Sequence, residues 1–390
     1  MRFKGSMKTK ARVIAYYLPQ FHPIPENDKY WGKGFTEWTN VAKAKPLFKG
    51  HHQPNIPADL GFYDLRLPDV RESQAELARK AGIEGFCYWH YWFGNGKTVL
   101  ERPFNEVLYS GKPDFPFCLG WANHSWTNKT WEKGNFFGKD AVIFEQLYPG
   151  ESDDITHFYS LLPAFKDKRY ILVEGKPLFV IFDTVSFPNF ARFKKLWNDL
   201  AIKNGLKGVY FVGVCYAMPK LSVNNIHDDI DLLVKENFDS TLSKGYDGLN
   251  SVTTKYAELK TKGKFKNLIQ SFSRRFFHGS IVDKYKYDDV IDNFITPESY
   301  RNNIYPQLIP GYDRSPRAGR KAVVYYGRNP KAFSKAIKNS LKCVINRDYD
   351  HRLIFLNAWN EWGEGAYMEP DLQYGLQYIE TLAKELYVEN

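Results

Sequence analysis

RLIFLNAWNEWGEGAYMEPD, residues 352–371, decides the fold. Leu353, Ile354, Phe355 and Leu356 are consecutive apolar residues, the pattern of a strand buried on both faces, and such strands belong to parallel sheets covered by helices. The run then breaks into Asn357, Trp359, Asn360, Glu361, Trp362, Glu364 and Glu369. A buried strand that delivers carboxylates, amides and indoles at its C-terminal end reads as the rim of an active site. Glu361 and Glu364 stand where the strand passes into a loop hinged at Gly363 and Gly365, so both can aim at one pocket. Tryptophans beside them can desolvate one carboxylate enough to raise its pKa, which equips the pair for acid/base work on a glycosidic bond. An arbitrary E-x-x-E is more often a solvated pair that caps or ion-pairs. The strand before it and the flanking Trp, Asn and Gly turn the reading toward catalysis.

The same unit recurs upstream. Val13 to Leu18 reads as a first strand, ended by Pro19 in a long loop rich in aromatic and polar residues that runs to His51 and His52. Adjacent in sequence, these two histidines point apart and make no metal pair. Residues 69–82 have helical spacing and stop at Gly82; Ile83 to Trp89 follows as a strand that runs into His90. Phe115 to Leu119 leads to Trp121, Asn123, Trp126 and, beyond, Trp131. A helix near 153–166, a strand over 176–182, a helix over 193–205 and a strand over 209–214 continue the rhythm. The sixth strand is expected near Leu232 to Val234, within a stretch, 219–305, that otherwise reads as an insertion or lid. Ile304 opens a seventh strand with Tyr312, Asp313 and Arg317 beyond its end, and PKAFSKAIKNSLKCVI is the last long amphipathic helix before strand eight.

Eight strands separated by helices, with polar clusters at their C-terminal ends, predict an α/β fold: a (β/α)8 TIM barrel with long βα loops. The competing doubly wound fold would carry a glycine-rich first turn for a nucleotide, and no G-x-G-x-x-G or Walker motif follows any strand. No shift of composition divides the chain, so residues 7–390 are read as one catalytic domain. Met1 to Ser6 ahead of Met7 reads as a vector-derived remnant, and an upstream segment could have been removed with the native start.

At 390 residues the chain can bury a large core, and its outlier is aromatic content, 17%, with 10 Trp, 26 Tyr and 29 Phe. Many of these rings sit beside Asn, His, Asp or Glu, which suits a cleft where flat rings stack on sugar faces, although most phenylalanines simply fill the core. The formal charge of +10 comes from scattered Lys and Arg without a zinc-finger, RNP or basic-zipper pattern. It favours acidic partners, among them an anionic polysaccharide or a membrane surface, over nucleic acid. Cys87, Cys118, Cys215 and Cys343 lie far apart in apolar stretches and read as reduced core residues; no CxxC or HxxxH offers metal-ligand spacing. Neither a transmembrane run nor a signal-peptide core is present, so the expected location is cytoplasmic. No cofactor or metal is expected, and oligomeric state is not legible.

IAYYLPQFHPIPEND, WGKGFTEWTNV, GIEGFCYWHYWF, LGWANHSWT, PGYDRSPR and NAWNEWGEGAYMEPD together resemble the WbsX family, named for glycosyltransferases of O-antigen and capsule loci and related to glycoside hydrolase family 99. The resemblance runs from about residue 11 to about residue 380 and is weakest over 219–305. It implies a (β/α)8 barrel, no metal, and the chemistry of retaining endo-α-mannosidases, whose catalytic segment matches NEWGEG at 360–365 position by position. By that resemblance Glu364 is the general acid/base. Glu361 deprotonates the substrate's 2-hydroxyl, which attacks the anomeric carbon of a manno-like sugar to give a 1,2-anhydro intermediate. Direct attack by Glu361 is the conventional alternative, with carboxyls ~5 Å apart. Tyr16, Tyr17, Gln20, His22, Glu37, Trp38, His90, Trp121, Asn123, Trp126, Asp313, Asn357, Trp359 and Asn360 sit at rim positions and are the substrate-binding candidates. Strand alternation turns one of the two tyrosines away, and His90 reads equally as a packing residue.

Three functions fit: a glycoside hydrolase acting on a bacterial O-antigen or capsule-type polysaccharide, a glycosyltransferase using an activated sugar, and a non-catalytic sugar-binding module. A transferase of the D-x-D type would need that triplet at the site, and Asp348-Tyr349-Asp350 lies before strand eight, at the opposite barrel face. Hydrolysis is therefore the preferred reading.

Overall fold

The computed structural model describes residues 8–127, 142–218, 229–262 and 282–388. Trp131, Met1 to Ser6 and parts of 219–305 lie outside them. Eight parallel strands among the described residues close into a barrel: β1 (Arg12–Tyr17), β2 (Gly85–His90), β3 (Phe117–Trp121), β4 (Lys176–Ile181), β5 (Tyr210–Tyr216), β6 (Gly248–Val252), β7 (Ile304–Leu308) and β8 (Leu353–Leu356). Each pairs with its neighbour in chain order, and β8 returns to β1 through Arg12↔Leu353 to Ala15↔Leu356. The expected (β/α)8 barrel is the observed fold.

Helices cover the outside: α1 (Pro68–Ala81), α2 (Arg102–Ser110), α3 (Glu151–Phe165), α4 (Phe190–Lys203), α5 (Ile230–Leu242), α6 (Pro330–Val344) and α7 (Gln377–Leu386). In α1 the cause is visible in the sequence. Proline opens it, Asp69 complements the first-turn dipole, and Gly82 in the left-handed conformation (φ 81°) ends it. Its buried residues, Arg71, Gln74, Ala75, Ala78 and Ala81, recur at three- and four-residue steps and form its inward face.

The sixth strand is the correction. Leu232 to Val234 lies in α5, capped by the Asp229 side chain on the Asp231 amide, with Val234, Phe238 and Thr241 turned inward at helical spacing. The strand is GLNSV, 248–252, whose polar residues hid it. Inside the barrel those residues are satisfied: Asn250 Oδ1 accepts from the Tyr16 hydroxyl at 2.9 Å, and Ser251 Oγ donates to the Tyr305 carbonyl at 3.3 Å. Residues 230–252 are thus a regular barrel unit rather than an insertion. Beyond them Asp283–Lys286 pairs with Val323–Tyr326, which also pairs with Tyr312–Asp313, building a small sheet beside the barrel.

The four cysteines are buried and unpaired. Among the described residues no helix is long and apolar enough to cross a membrane. Asp348 to Asp350 sits at the N-terminal end of β8, where Asp350 faces Arg12 of β1 at 3.5 Å, on the barrel end away from the strands' carboxyl termini.

Gly248 is fixed by close approach, since a Cβ there would sit 2.5 Å from the Tyr305 ring. Gly248→Ala is expected to lower stability by about 1–3 kcal/mol through overpacking, read as a lower urea midpoint. An unchanged midpoint would mean that the Tyr305 ring yields freely.

Candidate active site

Past Leu356 the chain keeps to the barrel wall: Asn357 N–H donates to the Leu308 carbonyl and Trp359 N–H to the Tyr16 carbonyl. Asn360–Glu361 then pairs antiparallel with Ala366–Tyr367, and a tight turn, Trp362–Glu364, joins them with Gly365 at φ 59°. This hairpin explains the three-residue spacing, because it brings Glu361 and Glu364 round to one side. Trp362 stacks on Tyr367, ring centroids 3.8 Å apart, and fixes the turn from below. Gly363 is the residue the turn requires. Its N–H donates to Glu37 Oε1 at 2.7 Å, and a Cβ there would lie 2.3 Å from that oxygen.

One guanidinium holds the arrangement. Arg317 Nη1 donates to Glu361 Oε1 at 2.8 Å and to Glu364 Oε1 at 2.7 Å, while Nη2 donates to Glu37 Oε1 at 2.7 Å. A second arginine, Arg314, brings Nε to 3.1 Å from Glu364 Oε1. Burial sets the proton affinities and the neighbours divide them. Glu361 is pushed up to about 7, by burial first and then by the Glu364 charge, against Arg317. Burial also raises Glu364, but Arg317 and Arg314 outweigh it and hold the carboxyl below its ordinary value. Glu37, fully buried, is raised despite Arg317. The Arg317 guanidinium is held charged, because its three carboxylates exceed the desolvation cost.

Glu361 and Glu364 line a cavity of about 420 Å³ at the carboxyl ends of the strands. Of the sequence candidates, Gln20, Trp126 and Asn357 line it with them, and Tyr16 is the tyrosine turned inward. The others lie outside its lining. Tyr17 points outward, its hydroxyl donating to Gln74 of α1 at 2.6 Å, as alternation requires. Glu37 sits beneath the pair, on Arg317. Trp38 donates to the Tyr63 carbonyl, Trp121 to the Trp92 carbonyl, and the Asn360 side chain bridges both backbone groups of Leu18. His90 meets His157 of α3 at 2.9 Å, and burial holds His90 down at about 4. Asn123 ties Tyr148 to Asp183; Asp313 is taken by His51, Gln53 and the Ser315 amide; His22 and Trp359 are buried.

In their place the cavity takes Trp89, one residue before His90, and His124, one after Asn123, together with Tyr91, Tyr216, Tyr312, Gln307 and Arg314. Strict alternation along β2 would have selected Trp89. The arginines were signalled only by DRSPR after strand seven. Among the described residues, Asn27 Nδ2, His124 Nδ1 and Gln307 Oε1 of the cavity lining make no hydrogen bond to the protein.

Removing the shared cation leaves three clustered carboxylates. Arg317→Met is expected to cost about 3–5 kcal/mol at pH 8. The loss should shrink toward pH 5, where carboxylates deprived of the cation take up protons in the folded state. Urea midpoints at the two pH values measure this, and a pH-independent loss would contradict it.

Two solved structures share the fold. A glycoside hydrolase-like protein superposes with a TM-score of 0.58 at 14% identity, covering 100% of this chain and 97% of that one. A GH99 endo-alpha-mannosidase from Bacteroides thetaiotaomicron, in complex with bis-tris propane, superposes with a TM-score of 0.54 at 13% identity over 96% of this chain and 95% of that one. WxcX from two strains of Xanthomonas campestris pv. campestris is 32% identical over 377 residues, 96% of this chain but 50% of the relative. The chain therefore spans about half the length of the curated relatives it matches. Residues 13–382 match the family described as Glycosyltransferase WbsX, and with that match over nearly its whole length the chain belongs to the WbsX family.

Proposed function

We propose that this barrel is the catalytic unit of a retaining glycoside hydrolase acting on a bacterial O-antigen or capsule-type polysaccharide. One observation carries the reading: two cavity-lining carboxylates accept hydrogen bonds from the same nitrogen. Two oxygens so held are no more than about 5.5 Å apart, close enough for both carboxylates to act on one sugar. With Glu361 pushed up to about 7 and Glu364 held down, the pair carries one proton over a broad range below neutrality, as an acid/base couple must. The route through a 1,2-anhydro sugar of manno configuration is adopted from the family resemblance.

The remaining wall suits a hydroxyl-rich ligand. Tyr16, Trp89 and Trp126 offer ring faces, and the unpartnered atoms of Asn27, His124 and Gln307 are suited to sugar hydroxyls. Arg314, with 40% of its side chain exposed, is the cation that a uronate or other anionic sugar would meet. A glycosyltransferase is the second reading, favoured by the description of the family. A non-catalytic module would have no use for paired carboxylates on a shared arginine.

Purified O-antigen incubated with the protein, without nucleotide or added metal, is expected to gain reducing ends. Glu361→Gln and Glu364→Gln should each lower turnover by roughly 10²–10⁴-fold while leaving polysaccharide binding intact. Chain elongation only in the presence of a nucleotide sugar would instead select the transferase. The pH profile of kcat/KM should fall above about pH 7, as the pair loses its one proton. An activity that stays flat to pH 9 would remove Glu361 from the acid/base pair.

A further inference from the structure

Arg317 serves three carboxylates, and only two of them face the cavity. Glu361 and Glu364 line it, whereas Glu37 is 0% exposed and is not part of the lining. Glu37 Oε1 accepts from Arg317 Nη2 and from the Gly363 N–H, both at 2.7 Å, while its Oε2 makes no hydrogen bond among the described residues. Other buried carboxylates nearby are better satisfied: Glu369 accepts from three side chains, and Asp313 is held by His51, Gln53 and the Ser315 amide. A neutral amide would serve the same two donors as Glu37. The carboxylate adds a charge that burial penalises, and that charge falls on Arg317.

The charges at this cluster do not balance. Arg317 contacts all three glutamates at 2.7–2.8 Å, and Arg314 lies 3.1 Å from Glu364. Two guanidinium groups thus face three carboxylates, and one proton cancels the excess. Without the charge of Glu37 the count would be two to two. Tyr91 faces Glu37 and Glu361, Tyr216 faces Glu361 and Glu364, and Tyr312 faces Glu364; burial holds all three above the ordinary tyrosine value, so they stay neutral where carboxylates titrate. Asp183 faces Tyr216 and Glu258 faces Tyr312. Arg328, bound to Tyr367 of the hairpin, pairs with Asp371, and Asp313 packs against Gly365.

We propose that Glu37 is a positioning residue of the Glu361–Glu364 pair: its charge, placed on Arg317, gives the site one carboxylate more than its arginines balance and so keeps one proton on the pair. The catalytic consequence rests on the glycoside-cleaving reading. An acid/base couple needs one carboxyl protonated and the other ionised at working pH, and Glu37 supplies the excess charge that holds this state toward neutrality, whichever of the two carries the proton. Burial raises Glu37 itself, and the Glu37 charge in turn raises Glu361, in the sense the count requires. Glu37 acts through Arg317 and touches no substrate.

Glu37→Gln keeps an acceptor for both donors and removes only the charge. Loss of a like charge lets the pair ionise more easily, so the limb of kcat/KM that falls above about pH 7 should move down by on the order of one pH unit. Activity lost at pH 7 should return as the pH is lowered, which a damaged fold would not do. Arg314→Gln makes the count three to one and should move the limb up, and combining it with Glu37→Gln should bring the limb back. A limb that stays in place or moves up in Glu37→Gln overturns the proposal. Infrared titration of the carboxyl band on the whole chain reads the proton without any substrate. Glu369, also buried and pushed up to about 7, is taken out of the background with Glu369→Gln. One carboxyl of the cluster, identified by its loss in Glu361→Gln or Glu364→Gln, should stay protonated to about pH 7, and only to lower pH once Glu37→Gln is added. A cluster with no protonated carboxyl between about pH 5 and 7 overturns the proposal without any Glu37 variant having to fold. A component that vanishes in Glu37→Gln and does not reappear at lower pH places the proton on Glu37 itself and overturns it too. If the unmodified protein cleaves no polysaccharide, the glycoside-cleaving reading fails, and the titration alone decides whether Glu37 sets the proton count.

Discussion

A single guanidinium, that of Arg317, joins three parts of the chain at the rim of the barrel. It donates to Glu37 after β1 and to both glutamates of the hairpin after β8, and it comes itself from the segment that follows β7. Desolvating four charges is costly, and each is tolerated only because the others are present. The geometry of the site is therefore set by a buried charge cluster and its donors rather than by apolar packing. The barrel supplies the frame, since β7, β8 and β1 are neighbours in the wall and deliver these segments to one edge.

Support continues beneath the hairpin. Glu369 is buried, forms no ion pair among the described residues, and accepts from Tyr63 at 2.8 Å, Gln74 at 2.6 Å and Trp362 at 2.6 Å. Those donors come from the long first loop, from α1 and from the turn itself. A buried carboxylate so satisfied ties the turn to the outer helix layer, and burial leaves its proton affinity high. The aromatic surplus divides accordingly. Trp38, Trp362 and Tyr367 pack under the site, while Trp89 and Trp126 face the cavity.

The legible parts of the fold were those in which burial and hydrophobicity coincide. Leu353 to Leu356 announced β8 because the strand is apolar on both faces. GLNSV did not announce β6, because Asn250 and Ser251 satisfy their polarity inside the barrel, on Tyr16 and on a backbone carbonyl. Within the site, Glu361 and Glu364 were legible because the turn that aligns them is local. Arg317 was noted at the end of strand seven but not joined to them, since no spacing links it to partners 44 and 47 residues away, or to Glu37 at 280. His90 and Asn123 were chosen by chemistry, whereas the pleat of β2 turned Trp89 to the cavity and the segment after β3 presents His124 there.

The hydrogen bond from Gly363 to Glu37 makes the hairpin a caliper whose jaws are set by backbone. Because the turn is closed by ladder pairs at its base and has no room for a side chain at its tip, the backbone fixes where Glu361 and Glu364 leave the chain. A descendant of this barrel that placed a water between its carboxylates would have to lengthen the hairpin, and would then have to find the arginine a new set of partners.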